Sequence, residues 1–372
     1  MKKTLIMVIF FFLFTGVACY SSALSVITAS PMDNDLFPFG QNQGMAVQYL
    51  DSEHLIKLSL VDQNGEKKEI SFPCERGNFW VMPSTKECPE FLIYKEDSNL
   101  LIWYSWRDDG LIQLRTWEGY ATLNVKKEGL LLKRYGSTEK QKGEKSSFSN
   151  TISTVNELEF VDMRQQTILS LGIPQENVYF DDIIWDKNGW ILLSRQATAD
   201  NLYTIQRLTH EGKFEWKIDF PEVNNIDGFF SDGANGLWLT YSPAYAGDMF
   251  FQHIDENGIR DKMLRLSGER RVKYINCGQV LEAGKVVLYG TSVANSKHIY
   301  HVFALTLNDS GDILNLDVRN YTERKDYSIE IRQSTDGMVY VYSGNYGNTS
   351  PLLVPFSNLK SVENHGLVIY GN

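Results

Sequence analysis

Asp186-Lys187-Asn188-Gly189, followed by Trp190-Ile191-Leu192-Leu193, and Thr209-His210-Glu211-Gly212, preceded by the β-rich run Leu202–Leu208, decide the fold. Each is a glycine-ended turn between strand-like runs, and Asn-Gly pairs accept the positive φ that a tight hairpin demands. The first turn recurs as Gly233-Ala234-Asn235-Gly236, Leu281-Glu282-Ala283-Gly284 and Ser334-Thr335-Asp336-Gly337. Its glycines at 189, 236, 284 and 337 advance in steps of 47, 48 and 53. The second recurs as Asp255-Glu256-Asn257-Gly258 and Asn308-Asp309-Ser310-Gly311, in steps of 46 and 53. Two markers in phase make two hairpins per unit, hence four antiparallel strands. Four-stranded units at this period predict an all-β fold, a β-propeller of four-stranded antiparallel blades. About 350 residues at about 48 per unit give about seven blades, with six to eight compatible.

Upstream the register is looser. Asp62-Gln63-Asn64-Gly65 and Arg107-Asp108-Asp109-Gly110 read as outer hairpins. Residues 136–150 are rich in Lys, Ser, Glu and Gly and read as a long exposed loop, with strand-like sequence back by Leu158. No stretch holds a helical period, so helices are expected to be few and short.

At the N-terminus, Lys2 and Lys3 precede an apolar run from Leu5 to Phe14 and the small residues Thr15-Gly16-Val17-Ala18. This reads as a secretory signal peptide over residues 1–18, or 1–23 if cleavage follows Ser21-Ser22-Ala23. The run is too short to span a bilayer. A single propeller domain is expected over 26–372, outside the cytoplasm: periplasmic, secreted or lipid-anchored. Gly16-Val17-Ala18-Cys19 resembles the bacterial lipobox, which makes Cys19 a lipidation candidate, although Gly16 stands where that pattern prefers Leu. Either cut takes the formal charge of −10 to −12 by removing two lysines.

Across 372 residues, 43% are hydrophobic and 13% aromatic, too apolar for a disordered chain. The acidic balance excludes a general nucleic-acid binder, which needs a positive footprint. Cys74 and Cys88 are the disulfide candidate for an oxidising compartment, worth roughly 3 kcal/mol on the chain-entropy model. Two unpaired thiols are the alternative. Cys277 reads as a buried thiol. No Cys/His spacing suggests a metal site, and no cofactor is expected.

Leu208-Thr209-His210-Glu211-Gly212-Lys213-Phe214-Glu215-Trp216 resembles the outer-hairpin motif of bacterial PQQ-like propeller repeats. In those repeats a Gly four positions before a Trp lets the Trp dock on the neighbouring blade. The hairpins at 254–258 and 307–311 are similar to its first half, but Lys262 and Asn315 stand where the later Trp would be. The resemblance covers the repeats from about residue 180. It implies kinship with periplasmic scaffolds more than with the quinone-dependent dehydrogenases, whose adjacent-cysteine disulfide is missing here.

No nucleophile elbow, HExxH, Walker or dinucleotide motif is present, so no catalytic residue is assigned. His298 and His301 are three apart, which on a strand places them on opposite faces and makes a poor metal clamp. His54, His210 and His253 have no acid partner evident in the sequence. Asp181, Asp182, Asp227 and Asp326 precede inner strands, near the mouth of a central channel. In a blade with strands A to D, the A–B and C–D turns share one face, and the glycine turns make that face tight. The opposite face carries the B–C and D–A loops, where Arg270, Arg271, Lys273, Arg324 and Lys325 form a locally basic rim. With Tyr245, Tyr321 and Tyr346 as anchors, they are the partner-binding candidates. The expected partner is an envelope or extracellular protein, or an anionic glycan, with membrane contact only through Cys19. The leading expectation is a non-catalytic scaffold or binding protein of the cell envelope. The alternatives are a propeller enzyme of glycan lyase, hydrolase or lactonase type, and an immunity or inhibitor protein against a secreted toxin.

Overall fold

In the computed structural model, seven small antiparallel sheets follow one another along the chain and form a seven-bladed β-propeller. It describes residues 26–28, 35–50, 54–135 and 155–371, less 41, 66, 74–76, 83–87, 96–97, 108–109, 126–128, 163, 165, 173–177, 197–201, 222, 224, 243–247, 269, 283, 295–299, 322–326, 335, 346–349 and 363–366. Blades 1 to 6 occupy 35–73, 77–118, 120–172, 178–220, 225–268 and 270–321. Each runs A, B, C, D outward from the axis, and the A strands of neighbouring blades 4 to 7 pack on one another. The glycine turns lie where the repeat predicts them. In blade 4 they join A (Val178–Asp186) to B (Gly189–Gln196), and C (Leu202–Leu208) to D (Phe214–Phe220).

The B strands bury both faces and read as near-continuous apolar runs, as Gly189–Gln196 does, while outer strands such as Phe214–Phe220 alternate. The core is divided between blades. Seven apolar clusters fill the seven interfaces, one each. Ile191, Ile205 and Phe220 of blade 4, for example, meet Phe229, Leu239 and Ile254 of blade 5.

Blade 7 closes the ring by joining an early strand of the chain to three late ones. Its A (Tyr327–Gln333), B (Val339–Asn345) and C (Leu352–Pro355) strands are joined by Ile27–Thr28, which pairs with Leu352 and Leu353 as strand D. Arg332 pins blade 7 to blade 1. Its Nη1 donates to Asp35 Oδ1 at 2.7 Å and to the Leu36 carbonyl at 2.9 Å, and its Nη2 to Glu330 Oε2 at 3.0 Å. The guanidinium lies 3.6 Å from the Tyr342 ring centroid.

Two blades depart from the expected four strands. Beyond a short 3₁₀ turn at Phe356–Asn358, Ser361–Val362 adds a fifth strand to blade 6 and Leu367–Gly371 one to blade 5. The tail thus runs back over the outer edges of blades 6 and 5 and caps backbone groups an edge strand leaves open.

The Cys74–Cys88 bridge is not formed. Cys88 is a free thiol, and Cys74 lies outside the described residues. Cys277, expected as a buried thiol, is only partly buried: it packs against the core between blades 6 and 7, and desolvation pushes the thiol up to about 12. Residues 1–25, with Cys19, and the loop 136–150 lie outside the described residues.

Candidate functional site

On the face of the glycine turns, blades 4 and 5 carry one cation each at the same repeat position, five residues before the C–D glycine. In blade 4 this is Arg207, 2% exposed. Its Nη2 donates to both oxygens of Asp186 in the A–B turn, at 2.9 and 3.0 Å, and its Nε lies 3.1 Å from Glu215 on strand D. In blade 5 it is His253, 3% exposed. Its Nε2 lies 3.0 Å from Asp232 in the A–B turn and its Nδ1 2.8 Å from Asp261 on strand D (Arg260–Gly268). Asp232 also accepts from the backbone amides of Ala234 and Gly236.

A ring with a carboxylate at each nitrogen is satisfied only as the doubly protonated imidazolium, which donates twice. Desolvation works against that charge, but hydrogen bonds to Asp232 and Asp261 outweigh it and raise the His253 pKa. Asp232 is likewise opposed by desolvation, yet His253 and the two amides hold its carboxyl below the usual range. Both are structural charges that tie turn to hairpin. A raised histidine contributes stability that is complete below about pH 6.5 and is lost as pH rises through the folded value. Urea midpoints should therefore fall from pH 6.5 upward in the native protein and lose that slope in His253→Gln. Parallel curves would contradict the assignment.

These clusters sit under a joined surface. Arg207 Nη1 donates to the Asn235 carbonyl of blade 5 at 2.6 Å. Trp216, on strand D of blade 4, donates its indole N–H to the Glu256 carbonyl at 2.9 Å and packs on Gly258. A Cβ at Gly258, whose φ is +79°, would come within 2.8 Å of that ring, so the docking requires glycine there. Blade 5 is tied to blade 6 by the Gly284 amide, which donates to the Asp232 carbonyl at 3.1 Å. Between blades 4 and 5 the turns leave an open groove of about 670 Å³, edged by Lys187, His210, Glu211, Glu215, Trp216 and Glu256. Of nine exposed large apolar side chains among the described residues, six lie on the turns or hairpins of blades 4 to 6: Phe214, Ile259, Val280, Leu281, Ile313 and Leu314.

The channel side carries a second repeated feature. The A strands of blades 4 and 5 each hold an extra residue that breaks the ladder, Asp181 and Asp227. That of blade 6 (Arg270–Glu282) holds three, Lys273, Asn276 and Leu281, of which Asn276 is eight residues before its A–B glycine, as Asp181 is in blade 4. Bulges re-aim side chains and recur beside functional sites. Asp227 accepts from Ser242 Oγ at 2.6 Å and Asn225 Nδ2 at 2.7 Å, while burial keeps its carboxyl above the usual range. Asp181 lies 3.7 Å from Arg195.

The expected binding residues do not assemble as the sequence reading placed them. Strand D of blade 5 ends at Gly268 and strand A of blade 6 begins at Arg270, so Arg270, Arg271 and Lys273 are strand residues, not part of a long loop. Arg270 and Arg271 pair with Ala294 and Val293. Tyr321 is 3% exposed and packs in the core between blades 6 and 7, which removes it as a surface anchor. Tyr245, Tyr346, Arg324, Lys325, Asp326 and His298 lie outside the described residues. The His253 cluster was not anticipated, although its equivalence to Arg207 is visible once the two hairpins are aligned on Gly212 and Gly258.

No protein-family model matches the sequence, and neither does any curated protein sequence. Among solved structures, the chain is similar to the acylaminoacyl peptidase of Pyrococcus horikoshii at a TM-score of 0.52 and 11% identity, over 90% of this chain and 54% of that one. The chain therefore spans about half the length of that peptidase. It is also similar to the dihydro-heme d1 dehydrogenase NirN (TM-score 0.45, 12% identity, 93% and 75% covered). A putative 6-phosphogluconolactonase from Bacteroides fragilis matches at a TM-score of 0.41 and 8% identity, with 95% and 99% covered. At these identities the likeness is one of fold.

Proposed function

We propose that the chain is an exported, non-catalytic β-propeller that holds a protein partner in the cell envelope against the turn face of blades 4 to 6. The observation that carries this reading is the joined surface there, where exposed apolar side chains stand on hairpins locked together by Arg207, Trp216 and the Asp232–Gly284 bond. Clustered exposed apolar groups mark interaction sites, and a rigid platform loses little entropy on binding. The signal-like N-terminus supports export. Kinship with PQQ-like repeats rests on the Gly212–Trp216 hairpin.

Affinity capture from envelope extracts with mass spectrometry tests the reading. Phe214→Ser/Ile259→Ser/Leu314→Ser should lose the captured partner, since exposed substitutions of this kind shift stability by only about 0.5 kcal/mol. Arg271→Glu/Arg324→Glu on the opposite face should retain it. The reverse pattern would overturn the assignment, and the same spectra report the mature N-terminus and any acyl group on Cys19.

A second reading, a propeller enzyme of glycan lyase, hydrolase or lactonase type, is favoured by one observation: a desolvated carboxyl with a raised pKa at a channel-side bulge, Asp227. On that reading a hydrolytic substrate panel would show turnover that Asp227→Asn abolishes. Turnover indifferent to Asp227→Asn would dismiss it.

A further inference from the structure

The hairpins of blades 4 to 6 repeat a chemical pattern as well as a shape. Each has carboxylates at its tip and a large apolar side chain one or two residues past the glycine: Phe214 after Gly212, Ile259 after Gly258, Ile313 after Gly311. Phe214 is 63% exposed and Ile259 58%. Residues 209–214, 255–259 and 308–314 together hold five carboxylates, those of Glu211, Asp255, Glu256, Asp309 and Asp312, against one lysine, Lys213. The adjoining Arg260 does not offset them at the tips, because its Nη2 donates to the Asp219 carbonyl and its guanidinium stacks 3.9 Å over the Phe220 ring. At the blade 4 tip the Thr209 hydroxyl, donating to Glu211, holds that exposed carboxyl below its ordinary range.

We infer that this surface docks a polypeptide segment of a partner in which Lys or Arg side chains stand beside large apolar ones. The inference rests on the turn face being the binding face and adds the chemistry of what binds. Charge complementarity decides the sign: an acidic segment would place like charges together, which costs several kcal/mol across an interface. The exposed apolar side chains decide against a purely polar cation, because they gain only from an apolar counterpart that removes them from water. The Trp216–Glu256 bond ties the blade 4 and 5 hairpins. Gly284, whose amide donates to the Asp232 carbonyl and against which Asp309 packs, ties in the blade 6 tip, so their order along blades 4, 5 and 6 acts as a template.

Fluorescence anisotropy with the full chain and labelled synthetic peptides provides the test. The probes are a peptide of alternating Lys and Leu, its Lys/Ser counterpart and its Glu/Leu counterpart. The Lys/Leu peptide should bind saturably, at least roughly tenfold more tightly than the Lys/Ser peptide, with no saturable binding of the Glu/Leu peptide. Phe214→Ser/Ile259→Ser/Leu314→Ser and Glu211→Lys/Glu256→Lys should each weaken it roughly tenfold. Glu69→Lys/Glu118→Lys, the same charge change on blades 1 and 2, should not. Equal weakening by both lysine pairs would reduce the effect to net charge and overturn the inference, as would equal affinity for the Lys/Leu and Lys/Ser peptides or no binding at all. If the peptides fail while partner capture still depends on Phe214, Ile259 and Leu314, the chemistry assigned here is wrong and the binding face stands. If capture is indifferent to them, the face itself is wrong.

Discussion

Arg332→Met should lower unfolding stability by about 1–3 kcal/mol, less than for a fully buried ion pair, because the Asp35 and Glu330 side chains are 31% and 47% exposed. Met retains much of the apolar stem, but it leaves Asp35 and Glu330 facing each other with no cation. The loss falls on the seam between blades 7 and 1, where strand D of blade 7 is only the two residues Ile27–Thr28. Amide exchange should therefore accelerate first in Ile27–Thr28, Asp35–Pro38 and Tyr327–Gln333, ahead of blades 3 to 5. Asp35→Asn/Glu330→Gln/Arg332→Met, which removes the stranded charges as well, should recover a large part of the stability. A triple variant no better than the single would show that Arg332 acts through packing on Tyr342 and Phe37 instead.

Arg207→Met should cost more, about 3–5 kcal/mol, and in a different place, because the Arg207 and Asp186 side chains are only 2% and 10% exposed. Arg207 joins the Asp186 turn, Glu215 on strand D and the Asn235 carbonyl of the next blade. Removing it takes the cation from Glu215 and from Asp186, which keeps the Asn188 and Gly189 amides. It also takes the donor from the Asn235 carbonyl, so the tie between the blade 4 and blade 5 tips then rests on Trp216. Chemical denaturation should register the loss of stability. Anisotropy with the Lys/Leu peptide should weaken even at temperatures where the variant is fully folded, because the tips are held less firmly in register. Wild-type peptide affinity in a destabilised but folded Arg207→Met would separate the ion cluster from the binding surface.

What could be read from the sequence was local. Gly189, Gly236, Gly258 and Gly311 announce their hairpins because turn chemistry acts within four residues, and their spacing alone produced the blade count. What could not be read joins distant residues. Asp232 lies 21 residues from His253, and Asp35 lies 297 from Arg332. The Asp35–Arg332 pairing has no periodic signal, and the 21-residue offset that Asp186–Arg207 shares with Asp232–His253 shows only once the two hairpins are aligned. The tail strands on blades 5 and 6 were missed for the same reason: strand-like sequence at Leu367–Gly371 does not say which edge it joins. The binding face was placed by analogy with where propeller loops are long. The structure puts Arg270 and Arg271 in a strand and Tyr321 in the core, while the hairpin tips, read as purely structural, carry the exposed Phe214 and Ile259. Burial is a tertiary property, so an apolar residue beside a glycine turn could not be assigned inside or outside beforehand.

The most direct test of the central claim is site-specific photo-cross-linking in the envelope, with p-benzoylphenylalanine in place of Ile259 on the turn face or of the exposed Pro221 at the opposite end of blade 4's outer strand. A partner cross-linked from position 259 and not from 221, through a peptide containing Lys or Arg beside Leu, Ile or Phe, is the predicted result. Cross-links from position 221 alone would contradict it.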